Sequence, residues 1–505
     1  MKKTSILLSV LATASMAQAN LTKMSVKEAQ NLVSQPTEAI QSVLSNTPTA
    51  YDFKNLNGEN TVSYTGQSLR QTLINDSKLI FGSVRRGEFK GNKDKAFNTF
   101  NSFYEYNADG VKASSKAVNG VTPILVKASD PAGKSTPTLE FFYLDILEGS
   151  KNLKGKTAGN DNALRNGKLL GWDALSMSGQ NFDLDQDGSL VPDELIQGYM
   201  NVMAANAASS EFSFSVPDGM GGEQVVEAAF VTESGLDLAQ LTQKVFHGAV
   251  SFSQAAGDYM SVDLAPGKGL NASNDLAEGK AYSDLQHHWD EAFGYFGAAR
   301  NFNELSVLEI RQGASLDSYD EETYVGANAG DGEISILTEK NLGLSTNAAK
   351  RDLGAAGKDT NFTRATMDAF LKGRQLVQEK PEGYLEYAQA YSVLAINQWE
   401  QVIAATVIHY INETAADLQN YGTADYKFTN LAKHFSEMKG FALAFQFNPN
   451  SSVSIEDFKT FHKLVGDTPQ LPQDGGVDAY VADLMEARNI LQKSFSFSDA
   501  TVKAW

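Results

Sequence analysis

The amino-acid sequence predicts a mainly α-helical protein built from one or more helical bundles. Apolar residues recur at three- and four-residue spacing through much of the chain, whereas no sustained stretch alternates apolar and polar residues as a half-buried strand does. Helix boundaries are also well marked in the second half, at Pro449, at the Ser454/Asp457 capping pattern and at Gly475-Gly476. We therefore expect a helical bundle in the C-terminal half.

The helices can be placed in order along the chain. Residues 21–45 should be helical with a break or kink at Pro36, and a second helix is expected over 68–81. Residues 107–137, rich in small and turn-forming residues, are predicted to be a loop, and a helix should run from Pro192 to about Ala207. Later helices are predicted over 236–256, 280–297, 362–378, 383–420, 428–447, 455–465 and 477–493.

The beginning of the chain resembles a secretory signal peptide. Lys2 and Lys3 precede a short apolar run, and Ala17-Gln18-Ala19 fits a cleavage signal, so cleavage is expected before Asn20. We therefore predict a periplasmic or extracellular protein with a signal peptide at 1–19, an N-terminal helical region at 20–230 and a C-terminal bundle at 231–505. Gly-rich residues 208–228 are the candidate boundary.

Composition excludes several classes of function. The chain has no cysteine, so disulfides, thiolate metal sites and a lipid anchor on cysteine are excluded. No stretch approaches the roughly 18 apolar residues of a transmembrane helix. The formal charge of −19 disfavours binding to nucleic acid and leaves two interpretations, attraction of cations and simple solubility.

A calcium-binding pattern occupies residues 183–194 and places an EF-hand loop in the N-terminal half. Positions 1, 3, 5, 6, 7 and 12 of this pattern are Asp183, Asp185, Asp187, Gly188, Ser189 and Glu194. The first three carboxylates can converge on one hard cation, and the glycine permits a sharp turn. The carbonyl at position 7 and both oxygens of the final glutamate complete the site. We expect bound calcium with a structural role, and an acidic surface turn is the weaker alternative.

An incomplete second loop follows near Asp331-Gly332-Glu333. Aligned on Gly332, it lacks acids at positions 1, 3 and 12, so no metal is expected there. EF-hand loops usually pair through position 8, which would bring Leu190 next to Ile334.

Four of the six histidines have an acid three or four residues later in the chain. These histidines are His287, His288, His409 and His434, and the acids are Glu291, Glu413 and Glu437. His409 falls on a mostly apolar helix face, so three facing helices could gather imidazoles and carboxylates around one buried point. Mixed nitrogen and oxygen ligands suit iron, zinc or manganese. Unrelated core or surface histidines are the alternative.

Four segments resemble an uncharacterised family of bacterial envelope proteins that carries a domain-of-unknown-function label. They are residues 64–70, 287–296, 404–413 and 436–448. That family is associated with imelysin-like proteins, which are two-bundle helical proteins of iron uptake with a G-x-H-x-x-E motif. His288-Trp-Asp-Glu291 matches the H-x-x-E part, and Gln286 stands where the motif has glycine. The resemblance implies an imelysin-like C-terminal half.

The leading hypothesis is a periplasmic metal-binding protein that serves iron acquisition. Its partners would be metal ions and envelope iron-uptake components. Calcium would sit in the loop and a transition metal, iron or zinc, on His288, Glu291, His409 and His434, with Glu413 and Glu437 as ligands or their partners. A metallohydrolase and a purely structural calcium-dependent envelope protein are the alternatives. An enzyme is less favoured because the chain lacks H-E-x-x-H and G-x-S-x-G motifs.

Overall fold

The computed structural model describes residues 21–106, 124–127, 138–141, 151–177, 180–312, 340–354 and 360–505. The signal peptide, most of the predicted loop 107–137 and the incomplete second loop lie outside these residues. The described part is mainly helical, which confirms the predicted class. None of its helices combines the length and apolar character needed to cross a bilayer.

Local capping explains the first helices. Helix α1 (Val26–Val33) starts at Ser25, whose hydroxyl and backbone amide exchange hydrogen bonds with Glu28 in a capping box. Pro36 lies between α1 and α2 (Glu38–Leu44), which confirms the predicted break. The N-terminal half continues with α3 (Thr65–Phe81), α4 (Lys93–Tyr104) and α5 (Pro192–Ala207). Helix α4 has no counterpart among the helices predicted from the sequence.

Two short antiparallel hairpins interrupt the helical pattern. Strand β1 (Ile124–Lys127) pairs with β2 (Thr138–Phe141), so the prediction of a continuous loop over 107–137 is wrong at β1. Strand β3 (Phe214–Pro217) pairs with β4 (Glu223–Val226) inside the predicted boundary region. Each of these strands has four residues, which is too short for an alternation of apolar and polar residues to be recognised in the sequence.

The remaining helices form the C-terminal part. They are α6 (Leu238–Phe246), α7 (Asp284–Phe296), α8 (Val307–Gln312), α9 (Gly343–Gly354), α10 (Phe362–Glu379), α11 (Tyr384–Gln419), α12 (Phe428–Ala442), α13 (Ile455–Val465), α14 (Val477–Phe495) and α15 (Asp499–Ala504). Two π-helical turns, His247–Phe252 and Ala255–Tyr259, prolong α6. Wide turns of this kind are frequent at functional sites.

Helix α11 is the axis of the bundle. Its 36 residues correspond to a length of about 54 Å, and it packs against α1, α9, α10, α12 and α14. Buried alanines along it, including Ala395, Ala404 and Ala405, let neighbouring helices approach closely. The buried core is continuous across residue 230, because α6 also packs on α3 and α5. The division of the chain at residue 230 stays a prediction.

A buried ion pair joins α7 to α10. The Nε of Arg374 donates a hydrogen bond to Oδ1 of Asp290 at 2.8 Å, and neither side chain is exposed. The hydroxyl of Tyr51 donates to the same oxygen at 2.9 Å, and the amide of Ser63 donates to Oδ2 at 3.0 Å. Burial raises the pKa of Asp290, an effect that the Arg374 charge opposes. The network fastens the segment 51–64 to two helices.

A second buried acid lies on α11. Glu400 is fully buried, its Oε2 accepts a hydrogen bond from the amide of Ser452 at 2.9 Å, and its Oε1 has no hydrogen-bond partner among the described residues. Burial raises the pKa of Glu400 from 4.5 to about 7. The hydrogen bond from Ser452 favours the ionised carboxylate and opposes this rise in pKa. Above pH 4.5 the unfolded chain releases this proton while the native protein keeps it. Stability therefore falls as the pH rises towards 7.

Replacing Arg374 by methionine should lower the free energy of unfolding by about 3–5 kcal/mol, because Asp290 would stay buried without its partner. Urea denaturation at neutral pH measures the change. The matched control is Arg85→Met, which removes an arginine whose ion pair with Glu227 is exposed and should cost less than about 1 kcal/mol. Equal losses in the two variants would contradict the role given to the buried pair.

Replacing Glu400 by glutamine should remove one component of the pH dependence. Between pH 4.5 and about 7 the unfolding free energy of the parent should fall relative to that of the variant, by on the order of 3 kcal/mol in total. Equilibrium unfolding at a series of pH values measures both slopes. Parallel curves would show that Glu400 is ionised in the native protein.

Candidate metal centre

The predicted calcium loop gathers three carboxylates. One oxygen from each of Asp183, Asp185 and Asp187 lies within 4.8 Å of the other two. In the part of the chain that the structure describes, no other group of three or more His, Cys, Asp or Glu side chains has this spacing. The sequence motif and the three-dimensional arrangement therefore point to the same place.

Hydrogen bonds from the loop backbone orient these carboxylates. The Gly188 amide donates to Asp183 Oδ2 at 2.9 Å, the Asp187 amide to Asp185 Oδ1 at 3.1 Å, and the Ser189 amide to Asp187 Oδ1 at 2.7 Å. The Ser189 hydroxyl and amide together hold the pKa of Asp187 below its ordinary value. Gly188 has a φ of +84°, which explains why position 6 is glycine.

One oxygen of the cluster is left without a hydrogen-bond partner. Asp183 Oδ1 is buried, and no described residue donates to it. An unsatisfied buried carboxylate oxygen is costly, whereas a bound cation would stabilise it. The donors are all hard oxygens, which suits calcium better than a transition metal.

Glu194, the predicted bidentate ligand, lies in the first turn of α5 and is 8% exposed. Its Oε1 accepts hydrogen bonds from the amides of Leu184 at 2.8 Å and Asp185 at 3.3 Å, and its Oε2 accepts from Val191 at 3.1 Å. The Glu194 carboxylate thus closes the loop by accepting hydrogen bonds from backbone amides of the loop, and it is not part of the three-carboxylate group.

The loop has an exit helix but no entering helix among the described residues. Residues 160–177 and 180–182 form turns and irregular structure, and α5 begins at Pro192 as predicted. The Leu190 carbonyl accepts a hydrogen bond from the Leu169 amide at 2.7 Å. Leu190, at position 8 of the loop, is therefore hydrogen-bonded to a residue of the N-terminal half. Its predicted partner Ile334 lies outside the described residues.

The histidines of α7 make contacts of their own. His288 Nδ1 lies 2.9 Å from the Gly269 carbonyl oxygen, and its ring lies 5.9 Å from that of Tyr259. His287 Nδ1 lies 2.9 Å from the Ser63 carbonyl oxygen. Glu291 Oε1 lies 3.8 Å from His287 Nε2 and accepts a hydrogen bond from Gln67 at 2.6 Å.

The histidines of α11 and α12 also have other partners. His409 Nδ1 lies 3.1 Å from the Trp505 carbonyl oxygen, and burial lowers its pKa to about 4. His434 Nδ1 lies 2.7 Å from Asp417 Oδ2 and 4.0 Å from Glu413 Oε2.

The described residues contain no group that matches the expected centre shared by three helices. None of the six predicted ligands, His288, Glu291, His409, Glu413, His434 and Glu437, belongs to a described group with ligand spacing. His288 and His409 interact with backbone carbonyls of different segments, and Glu437 forms an ion pair with Lys244. A role of these residues in binding iron or zinc stays a prediction without geometric support.

The partner of Glu437, Lys244, was not predicted from the sequence. Lys244 lies in a predicted helix and is only 6% exposed, but no pattern in the neighbouring sequence indicates that it is buried. The arginine of the Asp290 pair was missed for the same reason, since its partner lies 84 residues away. A lysine or arginine inside an amphipathic pattern is usually solvated, so only tertiary contacts identify these two.

A comparison with protein families gives one match. The family model described as Domain of unknown function (DUF4856) matches residues 193–460, which is more than half of the chain. Comparisons with curated proteins and with solved structures give no match. The resemblance to a family of unknown function is thus supported, and the association with imelysin-like iron uptake stays a prediction.

Replacing His409 by alanine should leave the zinc content of zinc-saturated, dialysed protein unchanged, because His409 lies against the Trp505 carbonyl and outside any described group with ligand spacing. Elemental analysis of parent and variant measures this. Loss of one equivalent of zinc in the variant would instead support the predicted metal centre shared by three helices.

Proposed function

This chain belongs to the family described as Domain of unknown function (DUF4856), and we propose that it is an exported helical protein stabilised by calcium. Calcium would bind in the loop at residues 183–194, on Asp183, Asp185 and Asp187, with Glu194 as a further ligand. The convergence of three carboxylate oxygens within 4.8 Å supports this proposal most directly.

Electrostatics favours an ion at this position. Three carboxylates at such distances repel one another, and the described part of the chain places no lysine or arginine in an ion pair with them. Calcium takes six to eight oxygen ligands in flexible geometry, so it can accept the aspartates, the Ser189 carbonyl, water and the Glu194 carboxylate. Extracellular modules of this kind bind calcium with dissociation constants of about 10⁻⁴–10⁻³ M.

The loop is attached to the core on both sides, which gives calcium a structural task. Phe182 precedes the first ligand and packs edge-on against Trp172 and Tyr199 at ring distances of 6.0 and 5.7 Å. Glu194 belongs to α5, which packs on α4. Calcium would therefore lock the start of α5 to this aromatic cluster.

The other hypotheses have less support. The His/Glu side chains predicted to bind a transition metal belong to no described group of three with ligand spacing, so metal acquisition and metallohydrolase activity have no geometric support in the described residues. Both stay predictions from the sequence pattern.

Replacing Asp183 by asparagine should abolish calcium binding and the gain in stability that calcium provides. At calcium 100-fold above its dissociation constant, the parent should gain about 2.7 kcal/mol, and the variant should gain nothing. Asparagine keeps an oxygen that can accept the hydrogen bond from the Gly188 amide. A loss of calcium binding would therefore result from the missing carboxylate charge. Titration calorimetry measures binding, and thermal unfolding with calcium or with chelator measures stability.

The matched control is Asp218→Asn. Asp218 also accepts backbone hydrogen bonds in a tight turn, from Met220 and Gly222, but belongs to no cluster of acids. This variant should keep the full response to calcium. If the parent itself melts alike in calcium and in chelator, the structural role of the loop is refuted.

A further inference from the structure

A short segment of the chain lies between the calcium loop and the C-terminal helices. It consists of residues 169–173, and we call it the strap. The strap forms no helix or strand of its own, so its position depends on its contacts with the elements on either side. The proposed function uses only one of its residues, Trp172.

The strap contacts residues on both sides of the three-carboxylate group. The Leu169 amide donates a hydrogen bond to the carbonyl of Leu190, which is position 8 of the loop, at 2.7 Å. The ring of Trp172 packs edge-on against Phe182, the residue before the first aspartate, with 6.0 Å between the ring centres. A change in the conformation of the loop therefore reaches the strap through two separate contacts.

Gln446 holds the strap from the side of the bundle. It lies in the 3₁₀ turn Leu443–Phe447, which directly follows α12, and it is buried. Its Oε1 accepts a hydrogen bond from the Leu170 amide at 2.8 Å, and its Nε2 donates to the Leu170 carbonyl at 3.1 Å. Removal of this side chain would deprive two backbone groups of the strap of their partner.

A buried ion pair extends the contact to the end of α13. Nζ of Lys439 on α12 lies 2.7 Å from Oδ1 of Asp467, two residues after α13, and the lysine side chain has no exposed surface. Oδ2 of the same carboxylate accepts a hydrogen bond from the Asp173 amide at 2.8 Å. The ammonium group also lies 5.6 Å from the centre of the Trp172 ring. One carboxylate thus joins α12, the strap and the end of α13.

The strap also fits closely against α13 itself. Gly171 has a φ of +81°, and a Cβ atom at this position would lie 2.8 Å from ring atoms of His462. His462 is a buried residue of α13. Because no space is left for a side chain between them, a displacement of the strap disturbs the packing of α13.

We propose that calcium binding in the loop regulates the docking of α13 on α12, with the strap as the connection. This inference rests on the proposed function, because it requires calcium in the loop. Without the ion, repulsion among the three aspartates loosens the loop and its contacts with the strap. The Lys439–Asp467 pair and α13 then open locally more often. Openings of α13 that disturb the loop must release bound calcium, so they become rarer as calcium is added.

Amide hydrogen exchange of the full-length protein, in calcium and in chelator, tests this regulation. Amides of residues 455–467 and of the strap should exchange more slowly in calcium, by up to roughly 100-fold at calcium 100-fold above its dissociation constant. Peptides from α10, which makes none of the strap contacts, should slow less because their local openings leave the loop intact. In Asp183→Asn, calcium should leave the exchange of α13 unchanged.

Two glycine variants separate the contact with α13 from backbone strain. Gly171→Ala places a methyl group against His462 and should raise the dissociation constant for calcium by about fivefold or more, because coupling between two sites is reciprocal. The matched control is Gly167→Ala. Gly167 also has a positive φ, +69°, but a Cβ atom there would meet nothing within 4 Å, so its calcium affinity should equal that of the parent. Titration calorimetry measures both affinities, and circular dichroism checks folding.

Gln446→Met changes only the bundle side of the strap and is an independent test. None of the hydrogen bonds that the structure describes for Gln446 reaches the calcium loop, yet this variant should also bind calcium more weakly. The control Gln401→Met removes a glutamine hydrogen bond within α11 and should bind calcium like the parent.

The outcomes distinguish this regulation from the proposed function. Absence of calcium binding by the folded parent would refute both. If the parent binds calcium but α13 exchanges equally fast in calcium and in chelator, the regulation alone is overturned. Calcium affinities of Gly171→Ala and Gln446→Met that match those of their controls would overturn it as well.

Discussion

The buried pair of Asp290 and Arg374 is the constraint around which the centre of the molecule is organised. A charge with no exposed surface is tolerated only when the polar atoms around it are satisfied. Here the remaining hydrogen bonds involve Tyr51, Ser63, Thr61 and Gln378. These bonds position the segment 51–64 against α7 and α10. The same segment then provides the carbonyl that meets the ring of His287.

Helix α11 extends this organisation along the bundle. Small buried residues on α11 admit helices on several sides, and larger groups such as Trp399 and Glu400 fill the remaining space. Because α11 contacts helices from both the beginning and the end of the chain, the bundle depends on contacts between distant segments. Buried polar groups such as Glu400 and Lys244 are stabilised only once these contacts exist.

Charge is distributed unevenly over this framework. Acidic side chains converge in the loop before α5. This loop contains a buried polar atom with no partner among the described residues, Oδ1 of Asp183. Like charges gathered at one place destabilise a fold, and this cost is the physical basis on which we propose a hard cation for the loop.

The sequence by itself determined the helices with strong local signals and the ligand spacing of the acidic loop, because a cap, a proline break or a twelve-residue turn depends on neighbours in the chain. It predicted the break at Pro36 and the start of α5 but missed α4, α8, α9, α15 and both hairpins. Only the tertiary structure decided the partners of His288, His409 and Glu437. A residue three positions from an acid shares its helix face, but the rotation and axial offset of that helix against its neighbours follow from packing the whole core.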